Sequence, residues 1–321
     1  PISDGRVFTM TDDGGMYVFD PDTFTTEELL FVSPQRYSPS VTVLEDGDIL
    51  ISGGVGDLNS LNTALALDTL RINTFDRTVV SIPGFPGMDG PLVPEAVRLK
   101  DGRMLFVGGQ RPNYGVPDEP TTLDTAYVFD PATNTVTPTG SLHHPIAHPV
   151  THLMDDGRVF VAGGPEYEYY DPATGEFTVA SFESSWNRGA ALSLLPSGDI
   201  LSAGGLDGSG APTASVQRVL EDLTIQGAGF SLPHPASGMT SSMSNDGSLL
   251  LAGGIGADLL ASKTLLRVDP TGSSILAQSQ LQSPRSGHGS VRLAGGDVLV
   301  LGGESSPDAE RVDPESLSSS V

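Results

Sequence analysis

Apolar and polar positions along this chain fall into short phrases that recur from end to end. Segments such as 40–45 (SVTVLE) and 290–294 (SVRLA) alternate apolar and polar residues, the period of a half-buried strand. Asp-Gly, Ser-Gly or Gly-Gly follows, supplying the positive φ of a tight hairpin, so the next run is predicted to fold back antiparallel. That run is almost wholly apolar, as in a strand covered on both faces, and it closes on Gly-Gly. The copies are 46–54 (DGDILISGG), 101–109 (DGRMLFVGG), 156–164 (DGRVFVAGG), 197–205 (SGDILSAGG), 246–254 (DGSLLLAGG) and 295–303 (GGDVLVLGG), with a copy lacking the glycines at 4–12 (DGRVFTMTD). The closing glycines mark a bend where no side chain fits. A third strand then ends in Asp-Pro, at 17–21 (YVFDP), 127–131 (YVFDP), 169–172 (YYDP), 267–270 (RVDP) and 311–314 (RVDP). Proline ends ladder pairing and Asp accepts backbone N–H groups, which marks a corner into a fourth strand.

Equivalent residues 4, 46, 101, 156, 197, 246 and 295 are spaced by 42, 55, 55, 41, 49 and 49 residues, the period of a four-stranded propeller blade. The expectation is an all-β, seven-bladed β-propeller of antiparallel four-stranded blades, one domain over 1–321. The blades fall near 1–32, 33–86, 87–141, 142–181, 182–231, 232–280 and 281–321. Seven second strands stand against six first strands, because residues 1–3 are too few for one. The inner strand of the first blade is therefore expected upstream of Pro1, and 316–321 supplies a fourth strand to the last blade.

The phrase resembles the Kelch repeat, in which Asp-Gly, an apolar run and Gly-Gly precede a tyrosine-containing third strand. That family often carries Trp at the start of strand four; here the slot holds Phe177, Val136 or an aliphatic, and the single Trp is Trp186. Blades packed by aliphatics are expected. More distantly, 35–40 (QRYSPS) ahead of 41–47 is similar to the corresponding stretch of galactose oxidase and glyoxal oxidase propellers. That resemblance implies a copper ion, a tyrosine crosslinked to cysteine and a Tyr-His pair. This chain has no Cys, Tyr37 stands one residue out of register, and Gly287-His288 occupies the place of Tyr-His. Copper is not expected.

Charge narrows the partners. The net charge is −24 and Lys occurs only at Lys100 and Lys263, which disfavours nucleic acid and anionic membrane surfaces. Absent cysteine excludes disulfides and thiol chemistry. No apolar run reaches membrane-spanning length. The 39 glycines and 25 prolines, one fifth of the chain, read as turns in a repeat of this kind. Scarce Lys and the abrupt start lead us to expect a processed extracellular or cell-surface protein.

Strand parity assigns the loops. Turns 1-2 and 3-4 emerge at one edge of a blade; loops 2-3 and the inter-blade loops 4-1 emerge at the other. The first edge collects Glu45, Asp46, Asp48, Asp155, Asp156, Asp20, Asp22, Asp130, Asp171, Asp269 and Asp313. Such carboxylates, and the run Asp12-Asp13-Gly14, are hard oxygen ligands of the kind Ca2+ takes, without a complete loop pattern. The second edge receives the insertions 55–66, 110–125 and 206–215, and all six histidines lie in 4-1 loops or first strands. Ligand-binding candidates there are Arg36, Tyr37, Arg111, Tyr114, His148, Trp186, Arg188, His234, Arg285 and His288, the aromatic, Arg and His types that anchor partners. Arg and His before strand one also serve, in the Kelch phrase, to tie neighbouring blades together.

His144 and His148 are four apart, but on a loop that spacing aligns no common face, so no metal set is expected. No catalytic set is expected either. The function expected is non-catalytic binding or scaffolding for a protein or glycan through the 2-3/4-1 edge. The alternatives are a sugar-processing enzyme resembling the Kelch-fold mutarotases, with Glu95, His148, Arg188 and His288 as acid/base or anchoring groups, or a degenerate oxidase-like protein.

Overall fold

The computed structural model describes residues 2, 5–11, 15–31, 36, 39–54, 68–85, 94–111, 121–164, 166–179, 188–220, 224–303 and 308–321. Strands and turns account for their regular structure, with no helix among them. Among the described residues seven antiparallel blade sheets follow one another along the chain, six of four strands and the first of three, and two two-stranded pairs lie in the loops. The fold is a seven-bladed β-propeller. In the first blade Val7–Met10, the counterpart of a second strand elsewhere, pairs with Gly15–Asp20 and that strand with Thr25–Phe31, so this blade lacks an inner strand among the described residues. Contacts divide the chain into two compact units, Pro1–Ala180 with blades one to four and Ser181–Val321 with blades five to seven.

Within each unit the second strands carry the core. Ile49–Ser52, Met104–Val107, Val159–Ala162, Ile200–Ala203 and Leu249–Ala252 are buried at every position, as their almost wholly apolar runs predict, Ser52 and Ser202 included. In the first unit Leu105, Val107 and Val128 of blade three pack against Val159, Val161 and Phe177 of blade four. In the second, Leu250 and Leu265 of blade six meet Val298, Val300 and Val312 of blade seven. Each such side chain contributes roughly 1.5–3 kcal/mol through burial. Packing by aliphatics holds for blades five to seven. It holds in blade two as well, through Ile49, Ile51, Leu70 and Ile72, whereas blades three and four use edge-to-face clusters, Phe106 and Tyr127 with Phe85 of the segment before blade three, and Phe160 with Tyr169, because Tyr on the third strand finds an aromatic partner.

The closing glycines latch one blade to the next. The N–H of Gly109 donates to the carbonyl of Ile146, Gly205 to Ala236 and Gly254 to Arg285, at 2.8, 2.8 and 2.9 Å, each acceptor lying on the segment that leads into the next blade. The preceding glycines sit under the same segments: a Cβ on Gly204 would stand 2.3 Å from the Ala236 carbonyl oxygen, and one on Gly108 2.6 Å from that of Ile146. Both members of these pairs have positive φ. A glycine pair is required by close approach and by backbone conformation together.

Inner strands are joined by hydroxyls: Ser193 Oγ donates to Ser241 Oγ at 2.7 Å, and Ser242 Oγ shares a hydrogen with Ser290 Oγ at 2.8 Å. Third-strand arginines close the turn edge. Arg71 donates to Asp46 and, at 2.7 Å, to Asp48 of its own 1-2 turn, and at 2.8 Å to both the Pro131 carbonyl and Asn134 Oδ1 of the next blade's 3-4 turn. Arg267 repeats this with Asp246 and the Glu315 carbonyl. The acidic edge is thus cross-braced: Asp46, Asp48, Asp246, Asp199 and Asp297 each hold an arginine. Asp269 accepts from the Thr271, Ser273 and Ser274 backbone and hydroxyls, which hold its carboxyl far below the usual range against the opposing effect of burial.

Candidate functional site at the 2-3 and 4-1 loop edge

Among the ten predicted residues, three are consumed by the fold. Arg36 is 3% exposed and donates through Nη1 to the carbonyls of Gly53 and Asp68, at 3.1 and 2.7 Å. Arg285 is fully buried and donates to the Gly302 carbonyl at 2.8 Å and to Glu310 Oε1 at 3.1 Å. The two arginines are equivalent, each reaching the first glycine of its blade's Gly-Gly seventeen residues ahead. His288 is 7% exposed, its Nε2 lies 2.9 Å from Thr240 Oγ1, and burial followed by the nearby Arg285 charge pushes its pKa down. A neutral imidazole in that position ties blade seven to blade six.

Others face solvent. His148 is exposed and its side chain makes no hydrogen bond among the described residues, although its carbonyl oxygen lies where a Cβ on Gly163 would come within 2.8 Å. Arg188 is exposed and, among the described residues, pairs only through its carbonyl, with the Leu206 N–H at 2.8 Å. Arg111 pairs with Thr121 through the backbone. Tyr37, Tyr114 and Trp186 lie outside the described residues, as does Asp12-Asp13-Gly14.

Two of the candidates line cavities among the described residues: Arg36, in one of about 290 Å³ with Phe8, Met10 and Val41, and the exposed His234. The 4-1 loop carrying it and the 2-3 loop of blade six are clamped by Ala236–Ser237 pairing with Ile255–Gly256. Between them opens a cleft of about 420 Å³ whose walls include His234, Pro235, Asp258, Leu260, Ser262 and Thr264. A second lobe of about 340 Å³ continues past His234 and Thr264 to Leu266, Gln278 and Gln280 on the outer strands of the same blade. Behind it the ladder between Ser262–Val268 and Ile275–Arg285 slips, so that Thr264 faces Gln280 while Ser262 faces Arg285. A bulge of this kind re-aims side chains beside a cavity. At the loop tip Leu259 has φ of 63° and is 76% exposed.

Two acidic arrangements escape a reading of residue types. Glu168 and Glu310 are buried on third strands, at 1% and 0% exposure. Glu168 accepts the N–H groups of His143 and His144, and His143 Nδ1 stands 3.0 Å from it; Glu310 accepts those of Gln282 and Ser283. The signal that betrays them is an acid at an otherwise apolar position of a buried strand, 168–171 (EYYD) and 309–312 (AERV). Glu95, at the start of the third blade's inner strand, is pushed up to about 7 by burial. It is thus poised to exchange a proton near neutrality.

No three His, Asp or Glu side chains among the described residues are grouped to hold a metal ion. Copper of the oxidase type does not fit what is described, since His288 Nε2 is engaged by Thr240 and its ring is wedged 2.5 Å from a Cβ position at Gly253.

No family model matches the chain, and no curated protein matches it. Solved structures do. YjhT superposes with a TM-score of 0.65 at 16% identity, over 89% of this chain and 97% of that one. A fungal alcohol oxidase of the AA5 family, solved in complex with copper, superposes with a TM-score of 0.75 at 15% identity, over 98% of this chain and 74% of that one. These likenesses are of fold, and they agree with the seven-bladed propeller that the in-phase Asp-Gly and Gly-Gly phrases announce.

Proposed function

We propose that this chain is a non-catalytic binding propeller that recognises a protein or glycan through its 2-3 and 4-1 loops, and that it works outside the cell. The observation that supports this reading is the division of labour among its arginines and histidines. Arg36, Arg285 and His288, which an acid/base or anion-anchoring site would use, are occupied by backbone and side-chain partners within the blades. His148, Arg188 and His234 are exposed on a loop edge with a formed cleft. A pre-formed concavity with few convergent polar groups is the ordinary form of a recognition site.

The test is a panel of immobilised glycans and extracellular proteins, probed with the protein and two variants. Ala211→Arg/Ala257→Arg places bulk on the loop edge; Ala132→Arg places it on the turn edge. Binding is expected to vanish in the first and persist in the second, and the reverse pattern overturns the reading.

A second reading, a mutarotase-like sugar-processing enzyme, is favoured by Glu95 alone, whose pKa of about 7 suits proton transfer. Turnover of a reducing sugar that Glu95→Gln abolishes without loss of folding would establish it.

A further inference from the structure

We infer that the two-lobed cleft of blade six binds a neutral oligosaccharide, with His234 between two successive sugar units. This rests on the loop-edge reading above and specifies its ligand and place.

The lining chooses the chemistry. Its polar groups are an imidazole, the hydroxyls of Ser262, Thr264 and Ser279, the amides of Gln278 and Gln280, and a single carboxylate, Asp258. Hydroxyls and amides both donate and accept, which matches sugar hydroxyls that do the same. No Lys or Arg lines either lobe. An anionic glycan would meet one carboxylate, no cation and the field of a chain of net charge −24. His234 makes no hydrogen bond among the described residues, and Asp258 holds one, from the Leu260 N–H to Oδ1 at 3.1 Å. Pro235 and Leu260 in the upper lobe, and Pro233 in the lower, give apolar surface for the C–H faces of a ring.

A peptide fits less well. Extended peptides are held chiefly by adding to an unpaired strand edge. Here Ala236–Ser237 and Ile255–Gly256 already pair with each other and Ser262–Val268 lies between two strands, so that of these walls the outermost strand Ile275–Arg285 alone ends its sheet among the described residues, and it meets just the second lobe. Two lobes sharing His234 and Thr264 give a length suited to more than one ring.

Isothermal titration with maltohexaose, cellohexaose, laminarihexaose and hexagalacturonate, each to about 10 mM, detects dissociation constants in the millimolar range. At least one neutral hexamer is expected to bind. His234→Ala and Gln280→Ala are each expected to weaken it by about tenfold, the loss of one good contact to a ligand. Both residues are exposed, so unchanged melting temperatures keep the comparison clean. The inference is overturned if no neutral hexamer binds, if both substitutions leave binding unchanged, or if hexagalacturonate binds better. A partner whose binding is removed by Ala211→Arg but not by His234→Ala would overturn this assignment while leaving the loop-edge reading intact; a partner removed only by Ala132→Arg would overturn that reading itself.

Discussion

Arg285 and Glu310 form an ion pair from which solvent is excluded, with both side chains 0% exposed and the guanidinium Nε and Nη2 at 3.2 and 3.1 Å from one carboxylate oxygen. Glu310 also accepts the N–H groups of Gln282 and Ser283, and Arg285 donates to the Gly302 carbonyl. The pair holds the loop into blade seven against that blade's third strand. Glu310→Gln leaves a buried guanidinium without its counter-charge and is expected to cost about 3–5 kcal/mol in urea unfolding. The double change Arg285→Met/Glu310→Leu removes both charges yet leaves the part-buried N–H groups of Gln282 and Ser283 without their acceptor, so it is expected to remain destabilised by about 1–2 kcal/mol.

Glu95 makes stability depend on pH. Its folded pKa, about 7, lies above its ordinary value of 4.5. Between those values the folded state holds a proton that the unfolded state has released, so stability falls as pH rises from about 4.5 to 7. Glu95→Gln is expected to flatten that segment of the stability curve and to raise stability at pH 8 by about 1–3 kcal/mol. Thermal unfolding from pH 4 to 8 measures it, and parallel curves for the two proteins would refute it.

Arg71 couples two blades through their turns. Its side chain is 16% exposed and Asp48's is 13%, so the pair is better shielded than a surface ion pair. Arg71→Met is expected to cost about 1–2 kcal/mol, most of it through the lost bonds to the Pro131 carbonyl and Asn134. Exposed Arg77, paired with exposed Glu27, is the contrast: removing that pair with Glu27→Gln is expected to cost under about 0.5 kcal/mol.

Leu259 is an exposed leucine held in the left-handed region at φ of 63°. Asn tolerates that conformation, and no buried surface is lost with the leucine. Leu259→Asn is expected to stabilise the protein by about 0.5–1 kcal/mol, read as an upward shift in melting temperature.

The turns show how far local pattern reaches. Asp20, Asn73, Asp130, Asp171 and Asp313 each accept a backbone N–H two residues ahead at 2.8–2.9 Å. Four residues after each stands a residue of positive φ: Phe24, Arg77, Asn134, Gly175 and Leu317. Asp-Pro announces the corner because both partners of the turn are close in sequence, but only Gly175 and Asn134 are residue types that advertise the left-handed position. The arginine braces were less legible, since Arg71 finds its acceptors at Pro131 and Asn134, about sixty residues away.

What the sequence determined by itself is everything that repeats: the phase of the strands, the glycine pairs, the assignment of loops to edges, and a first blade with three strands. Those features depend on alternation, turn chemistry and copy number, which are local and were sampled seven times along the chain. Tertiary structure decided which polar residues are spent. Arg36, Arg285 and His288 share residue types with Arg188 and His234, yet the first three are drawn inward by carbonyls, a buried carboxylate and a threonine hydroxyl supplied by other strands, while the last two are left in solvent. Whether an arginine or histidine is a strut or a site depends on acceptors brought within about 3 Å by folding, and that proximity is not written in the residue itself.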